Sequence, residues 1–379
     1  MAEEWRVIEH IEIEGFKSLE KVSLDLGPLN IFVGTNASGK TNFLEALRVL
    51  QGIGYGYTVD EILNGRPRIG NLEKWDGIRG GSQFARLLGS SYDIKFRVRS
   101  TVPSLGQIEY VLSVSPESAS ASDEGLYVNG ELYVVPRGYL TRDRSRPWLP
   151  MFVVDPSEAR FAPFVRELCD VQSLTPNPGV QREYSTASTA VRMGDRGENF
   201  AALVRTILKD EPKASDYVSW LKELTPSELD SVEVLPGAAG DWLFALRKGG
   251  VVYPAPVLSD GTLRFAAIAA AFFQPDPPST LVLEEIEDGL HPTRLQLLVE
   301  LLKSQTGQGV KQVFATSHSP FAIAWLKEED YKYVFLCTKN EDTGATSITP
   351  FSEVPRLVEL ARTQSIADLF AEGWMENAL

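Results

Sequence analysis

The sequence predicts an α/β fold, and three patterns along the chain lead to that prediction. Short runs of alternating apolar and polar residues open the chain, as is typical of strands. Over residues 29–50 an apolar strand pattern, a glycine-rich turn and an amphipathic helix follow one another. After residue 255 strand and helix patterns alternate again. Such alternation favours a sheet covered by helices.

The N-terminal part of the chain is predicted to consist mainly of strands and one helix. The predicted strands cover residues 7–13, 22–26, 29–33, 92–102 and 108–114, with a hairpin over 126–135. Residues 41–50 favour a helix, because their apolar side chains fall on one face. Residues 52–89 are rich in glycine and carry no clear pattern.

Residues 140–254 differ in composition from both flanks and predict an insertion. Prolines interrupt this stretch, and two helix patterns cover residues 198–208 and 215–224. The α/β pattern then returns, with a helix over 262–273, strands over 280–283 and 312–316, and a helix after Pro292. We therefore expect a lobe formed by residues 1–139 and 255–379, interrupted by a largely helical, lid-like insertion at 140–254.

Charge and cysteine content exclude several classes of protein. The chain has 37 Lys and Arg against 51 Asp and Glu, a net charge of −14, which excludes a cationic surface coat but not a local basic groove. Two cysteines cannot build a disulfide framework or, alone, a four-ligand zinc site. The acidic N-terminus lacks the apolar core of a signal peptide, and the longest apolar run, residues 265–273, is about half a membrane span. We expect a cytoplasmic protein without membrane contact.

A glycine-rich loop at residues 34–41, with the sequence GTNASGKT, fits the pattern G-x-x-x-x-G-K-[ST]. It follows an apolar strand and opens a helix, which is the context that the pattern requires. Glycines let backbone N–H groups converge on phosphate, and the helix N-terminus adds partial positive charge. Lys40 would meet the β- and γ-phosphates, and the Thr41 hydroxyl would ligate Mg²⁺. The sequence therefore predicts a nucleotide-binding loop.

An acidic pair, Glu284 and Glu285, ends the apolar strand at 280–283. Such pairs often end strands simply at a solvated edge. Downstream of a phosphate loop, however, the first carboxylate is suited to hold Mg²⁺ and the second to orient or deprotonate the attacking water.

Two further segments have both an ordinary and a functional interpretation. The first segment is Leu258-Ser259-Asp260-Gly261-Thr262. In the ordinary interpretation Ser259 or Asp260 is a helix N-cap. In the functional interpretation the open N-terminus of the helix binds an anion. His318 follows the strand at 312–316. A loop histidine is usually structural or exposed, but here it would reach a γ-phosphate as a hydrogen-bond donor.

The order of these motifs resembles that of ABC-type ATPase heads in the SMC-, RecF- and OLD-like branch. Residues 13–19, IEGFKSL, and 287–292, EDGLHP, also resemble that branch. Residues 196–200 and 367–373 loosely resemble its short standalone, AAA-type members. The specific similarity covers roughly residues 1–50 and 255–325. The resemblance implies a P-loop NTPase of ABC-ATPase type, with a mixed central sheet, an N-terminal antiparallel sheet and a largely helical insertion.

The resemblance also implies roles for individual residues. Glu285 matches the catalytic glutamate and His318 the switch histidine, while Glu284 stands where most ABC heads have Asp and would hold Mg²⁺ together with Thr41. Ser259, Asp260 and Gly261 are the implied signature that completes the site of the opposite subunit; Ser259 and Gly261 match its residues, while Asp260 and Thr262 depart from the commoner LSGGQ form. The implied nucleotide-binding residues are Gly34, Asn36, Ser38, Gly39, Lys40, Thr41, Asn42, Lys17 and Ser18. Gln83 is a weak candidate for the family's Q-loop glutamine, and an ordinary surface residue is at least as good an interpretation.

From this resemblance we expect an ATPase that uses Mg²⁺ with ATP and closes as a homodimer, or a higher homo-oligomer, around two ATP molecules. Short standalone members of the branch are common in bacterial antiphage defence, where they are paired with a nuclease or toxin. A switch that controls such a separate effector protein is therefore the preferred hypothesis.

Two other function classes stay open. The first is a DNA-repair or chromosome-type ATPase, which would need a basic patch that binds DNA. The candidate residues for that patch are Arg142, Arg144 and Arg146, with Arg137, Arg66 and Arg68. Clusters of this kind are mostly solvated surface. An OLD-type nuclease is less favoured, because residues 319–379 lack a convincing cluster of acidic ligands. A small-molecule kinase would not need the LSDGT and Ser-His segments.

Overall fold

The computed structural model describes residues 7–68, 74–87, 89–135, 143–186, 189–224 and 229–374, which divide into two compact units. Unit 1 holds the described residues up to Val171 and Glu328–Glu359, and unit 2 holds those of Gln172–Lys327 and Leu360–Trp374. These boundaries differ from the expected ones at 139/140 and 254/255.

Fifteen strands are present in the described residues. They are β1 (His10–Phe16), β2 (Leu19–Asp25), β3 (Leu29–Val33), β4 (Ile94–Val102), β5 (Gly106–Ser115), β6 (Ser120–Val128), β7 (Glu131–Leu132), β8 (Val171–Leu174), β9 (Leu229–Pro236), β10 (Trp242–Lys248), β11 (Val251–Pro254), β12 (Thr280–Leu283), β13 (Gln312–Ser317), β14 (Val334–Lys339) and β15 (Thr346–Pro350).

The described α-helices number eleven. They are α1 (Lys40–Gly54), α2 (Val59–Asn64), α3 (Met151–Val154), α4 (Ala162–Cys169), α5 (Pro178–Gln181), α6 (Phe200–Ile207), α7 (Glu211–Leu224), α8 (Asp260–Phe273), α9 (Pro292–Gln305), α10 (Leu357–Leu360) and α11 (Ile366–Ala371). No helix in the described part of the chain is long and apolar enough to cross a membrane.

Unit 1 contains an antiparallel sheet in the order β2-β1-β4-β5-β6-β7. On β1 the side chains alternate: Ile11 and Ile13 are fully buried, while Glu12 faces outward and pairs with Arg97 of β4. In the same unit β14 pairs with β3 in parallel and with β15 antiparallel. The predicted antiparallel N-terminal sheet and mixed central sheet are thus confirmed.

Unit 2 contains the parallel pair β12 and β13, in which Leu283 lies opposite Ala315, and the antiparallel sheet β11-β10-β9. Helix α8 is buried from Gly261 to Phe273, so it forms a core element rather than an amphipathic surface helix. The predicted helix at 262–273 and strand at 280–283 are confirmed.

The described residues of segment 140–254, which was expected to be largely helical, hold four strands, β8–β11, beside five helices. The sequence analysis assigned no element at strand β10. Its residues Leu243–Leu246 form one continuous buried apolar run, and such a run has no period of two. A short run of that kind cannot be told from a buried helical turn by pattern alone.

A carboxylate in unit 1 makes stability depend on pH. Glu124 of β6 accepts hydrogen bonds from the Tyr110 hydroxyl (2.7 Å) and from the backbone N–H groups of Trp148 (2.8 Å) and Leu149 (3.0 Å). Desolvation raises the pKa of Glu124 from 4.5 to about 7 despite these donors.

We expect the free energy of unfolding to fall as the pH rises from about 5 to 8, because the folded state binds the Glu124 proton more tightly than the unfolded chain does. This contribution is complete below the unfolded pKa and is lost as the pH passes the folded pKa; its upper bound is about 3 kcal/mol. Urea unfolding of wild type and Glu124→Gln at pH 5 and pH 8 measures it. If the free energy of unfolding of Glu124→Gln fell between pH 5 and pH 8 as much as that of wild type does, the assignment to Glu124 would be contradicted.

Candidate nucleotide-binding site

The phosphate loop lies in unit 1 between the buried strand β3 and helix α1, so the amides of the first helical turn end at the loop. Gly39 has φ 102°, a left-handed conformation that other residues rarely adopt. A Cβ atom at Gly39 would overlap the hydroxyl of Thr346, and one at Gly34 would overlap the carbonyl oxygen of Cys337. Both glycines are therefore required by the neighbouring strands β15 and β14.

Two polar side chains are buried in the loop. Lys40 Nζ donates to the carbonyl oxygens of Gly34 (2.7 Å) and Thr35 (2.8 Å), which keeps the ammonium group inside the loop. Ser38 Oγ is buried and has no hydrogen-bond partner among the described residues. Asn36 is exposed on the rim. An inward lysine, an unsatisfied hydroxyl and an open helix terminus together fit a nucleotide phosphate.

Thr346 of β15 holds the loop and is a residue that the sequence analysis missed. Its hydroxyl donates to the carbonyl oxygen of Ser38 (3.0 Å) and lies 2.6 Å from Ser18 Oγ. Asn42 Nδ2 in turn donates to Ser18 Oγ (2.6 Å). The predicted residues Ser18 and Asn42 are thus brought to the loop.

Lys17, predicted to bind nucleotide, is engaged elsewhere in unit 1. Its ammonium group forms an ion pair with Glu45 of α1 and donates to the carbonyl oxygen of Arg79 (2.9 Å). The Lys17 and Glu45 side chains are only 10% and 9% exposed. Lys17 therefore braces helix α1 in this structure, and nucleotide binding by Lys17 stays a prediction.

The acidic pair lies in unit 2, at the carboxyl end of β12. Glu285 is exposed and has φ 50°, an uncommon value for a non-glycine residue. Its backbone N–H donates to the Thr316 hydroxyl (3.0 Å), and the N–H of Ile286 donates to the Thr316 carbonyl oxygen (3.0 Å). The end of β13 thus holds the strained turn that presents the Glu285 carboxylate. Strain held by surrounding structure is a recurrent property of functional sites.

Arg264 fixes the same turn from helix α8. The side chain is buried, with the residue 4% exposed, and Nη2 donates to the carbonyl oxygens of Glu284 (3.0 Å) and Glu285 (2.8 Å). Nη1 donates to the Pro176 carbonyl oxygen (3.2 Å) and Asp288 Oδ2 (3.3 Å). Burial lowers the pKa of Arg264, and the nearby carboxylates oppose that shift. The sequence signal for this residue was a lone cation within an otherwise apolar helix.

The predicted signature, Ser259 to Gly261, forms the start of α8. Ser259 caps the helix, since its Oγ accepts from the N–H of Thr262 (3.3 Å) and from Arg294 Nη1 (3.1 Å). Gly261 is required because a Cβ there would lie 2.7 Å from the Gly289 carbonyl oxygen.

The side chains of the signature are nevertheless presented to solvent. Ser259 and Asp260 are both exposed. Asp260 forms an ion pair with Arg182, which also donates to the Leu258 carbonyl oxygen (2.9 Å). The arginine offsets the unfavourable charge that an aspartate would bring to an anion-binding helix end.

His318 follows β13 and is paired with Glu287, which, like Thr346 and Arg264, the sequence analysis did not assign to the site. Nδ1 of His318 lies 2.9 Å from Glu287 Oε1, and the imidazole side chain is 46% exposed. Glu284, Glu285 and His318 therefore follow the neighbouring parallel strands β12 and β13 at their carboxyl ends, where such sheets bind ligands.

The residue types at the two positions predicted to hold Mg²⁺ are suited to that ion. Thr41 in unit 1 and Glu284 in unit 2 each carry oxygen donors, the type that Mg²⁺ prefers. Within the described ranges there is no group of three or more His, Cys, Asp or Glu side chains that would hold a metal ion.

The structure describes only some of the remaining predicted residues. Arg142 lies outside the described residues, Arg144 is exposed, and Arg146 donates to the Gly56 carbonyl oxygen (2.7 Å). Gln83 lies in the 3₁₀ turn Ser82–Phe84 and lines a depression of about 760 Å³ together with Lys17.

Family models match two parts of the chain. Residues 191–324 match "AAA domain, putative AbiEii toxin, Type IV TA system", and residues 7–55 match "AAA ATPase domain". These ranges contain the signature, the acidic pair, His318 and the phosphate loop.

Curated relatives match shorter stretches. The DNA replication and repair protein RecF of Lactobacillus acidophilus is 46% identical over 44 residues, which is 11% of this chain and 12% of RecF. An ATP/GTP phosphatase of Helicobacter pylori is 30% identical over 109 residues, 26% of this chain and 29% of that protein. The chain thus covers much less than half the length of these relatives.

Solved structures resemble the chain over most of its length. The SmcHead bound to the C-winged helix domain of ScpA has a TM-score of 0.54 and 11% identity, covering 90% of this chain and 97% of that one. The Pyrococcus furiosus Smc head with an extended coiled coil, bound to the C-terminal domain of ScpA, has a TM-score of 0.52 and 12% identity, with coverage of 94% and 99%. At such identities the likeness establishes the fold.

Proposed function

The chain carries an ABC/SMC/RecF-like ATPase head, and on that premise we propose that it is an ATP-driven switch. Two copies close around two ATP molecules, each copy supplying its signature to the phosphate loop of the other. Closure is read by a separate effector protein, and hydrolysis releases the closed state. A two-fold arrangement follows, because one surface of each copy meets the same surface of the other.

The observation that carries this proposal is the exposure of the signature. Ser259 and Asp260 lie exposed at the end of a helix that is otherwise buried from Gly261 to Phe273. The helix N-terminus accepts an anion, and Arg294 adds positive charge beside Ser259. This arrangement supports contact with a phosphate that a second copy brings to the surface.

The side chains have separable tasks in this proposal. Lys40 and the loop amides bind the phosphates, and Ser38 and Asn36 line the loop. Glu285 orients and deprotonates the attacking water, and His318 donates to the terminal phosphate. Thr41 and Glu284 would hold Mg²⁺, which would neutralise charge at the phosphates.

Control of an effector is supported by the family description over residues 191–324, which names a putative toxin of a toxin–antitoxin system. The longest described helix has 15 residues, much shorter than an SMC-type arm. We propose that this switch serves bacterial antiphage defence in the cytoplasm. Co-purification from the native host with and without ATP tests for the effector.

A DNA-repair ATPase is the second candidate, favoured by the 46% identity to RecF over 44 residues. Direct DNA contact would give an affinity that falls steeply with salt concentration. Neutralising Arg142, Arg144 and Arg146 together would then weaken binding, whereas an unchanged affinity would remove this patch from consideration.

We expect Ser259→Arg to bind Mg·ATP as wild type does but to form no ATP-dependent dimer, since the added cation and bulk block the surface that meets the second copy. Light scattering measures the dimer, and a fluorescent ATP analogue measures binding. Ser304→Arg on the exposed part of α9 is the matched control and should dimerise normally. Lost nucleotide binding in Ser259→Arg, or a normal dimer, would contradict the shared site.

A further inference from the structure

Glu287 contacts two nitrogen atoms of the same residue. Its Oε1 atom accepts a hydrogen bond from the backbone N–H of His318 (2.6 Å) and lies 2.9 Å from the imidazole Nδ1. We propose that Glu287 is a positioning residue that fixes the ring orientation and the tautomer of His318, leaving Nε2 as the ring atom that meets the terminal phosphate. The inference rests on the proposed function, because that function gives His318 its role.

The tautomer follows from the chemistry of the pair. An ionised carboxylate only accepts hydrogen bonds, so Nδ1 must carry a proton. The bond made by one ring nitrogen determines which state the other adopts. Because Nδ1 faces Glu287, Nε2 faces away from it. When both ring nitrogens carry a proton, Nε2 donates a hydrogen bond to an oxyanion.

The surroundings of Glu287 hold its carboxylate in the orientation that contacts His318. Its side chain is 9% exposed, and its Oε2 atom is buried with no hydrogen-bond partner in the described ranges. Beside it lies a cavity of about 300 Å³ that His318 also lines, with apolar walls from Leu290, Leu295 and Phe321. Ser319 also lines this cavity, and the two nitrogen atoms that contact Oε1 both belong to His318.

The arrangement also links the two strand ends. Glu287 follows β12 and His318 follows β13, and these strands pair in parallel. A purely structural hydrogen bond would tie the loops together equally well. The two interpretations differ in what they predict for the ring nitrogens, which can be observed directly.

Long-range ¹H–¹⁵N correlation spectra of histidine-labelled protein measure the tautomer. The chain has only three histidines, His10, His291 and His318, so His318→Gln assigns the signal. We expect Nδ1 to be protonated in wild type and in Glu287→Gln, whose amide oxygen still accepts. In Glu287→Ala the neutral ring should change to the Nε2–H tautomer while the other two signals stay constant. An unchanged tautomer in Glu287→Ala would overturn the proposal.

Hydrolysis measured on the same variants separates this inference from the proposed function. We expect Glu287→Ala to reduce kcat for ATP about tenfold or more with little change in KM, and Glu287→Gln to recover part of it. The double variant with His318→Ala should be no slower than His318→Ala alone. Additive losses would overturn positioning by Glu287. A changed tautomer with normal hydrolysis would instead overturn the role of His318 and leave the geometric assignment standing.

Discussion

In Glu285→Gln, ATP hydrolysis should fall by about 10²- to 10⁴-fold while ATP binding persists, so that an ATP-bound dimer accumulates. The amide cannot accept a proton from water, and general-base contributions are of that order. Binding persists because the phosphate loop, with Lys40 and Ser38, lies in unit 1 and is untouched by the substitution. The backbone contacts from Thr316 and Arg264 do not depend on the carboxylate, so the turn should keep its conformation.

The decisive measurement is the solution mass of Glu285→Gln by light scattering, with and without Mg·ATP. A rise to the dimer mass only with nucleotide would support the shared-site switch. Glu300→Gln, an exposed carboxylate on α9, is the matched control and should hydrolyse ATP like wild type. Normal turnover in Glu285→Gln would remove Glu285 from catalysis, and an unchanged monomer would contradict closure around ATP.

The parts of the site that were predictable from sequence are those in which local chemistry demands particular residues. Phosphate binding needs glycine at Gly34 and Gly39, a lysine and a helix start within eight consecutive positions, and the structure shows a steric reason for each glycine. The buried strand β12 predicted where Glu284 and Glu285 would lie. Periodicity found the strands and helices that flank these motifs, since their pattern is set by the core they face.

The residues that escaped prediction act across long sequence separations. Thr346 lies 308 positions after Ser38, whose carbonyl oxygen it binds, and no local pattern marks it. Lys17 was assigned to nucleotide by resemblance, but its ammonium group is held by Glu45, a pairing visible only once α1 packs beside the first strands. Such partners depend on tertiary structure, so one sequence without its fold cannot supply them.

Replacing Arg264 should lower both stability and hydrolysis while leaving ATP binding in place. Arg264→Met removes four hydrogen bonds and leaves the carbonyl oxygens of Glu284 and Glu285 without these donors in a partly buried position. Unsatisfied buried groups of this kind cost about 1–3 kcal/mol each, so a loss of roughly 3 kcal/mol in the free energy of unfolding is expected. Freed from Arg264, the strained turn at Glu285 should relax from its φ of 50°, and the carboxylate would then leave the position from which we propose that it activates water.

Arg264→Lys should rescue little of either property. A single ammonium group lacks the planar, five-donor fork that lets the guanidinium reach four oxygen acceptors at once. Arg205→Met is the matched control in the same unit: it removes an arginine that stacks 3.9 Å from the ring centre of Trp242, and it should cost some stability but no catalysis. Urea unfolding, nucleotide titration and steady-state hydrolysis on the three variants separate these effects. Full activity in Arg264→Met would mean that the turn holds Glu285 without help from α8. Lost ATP binding would mean instead that the substitution disrupts more than the end of β12.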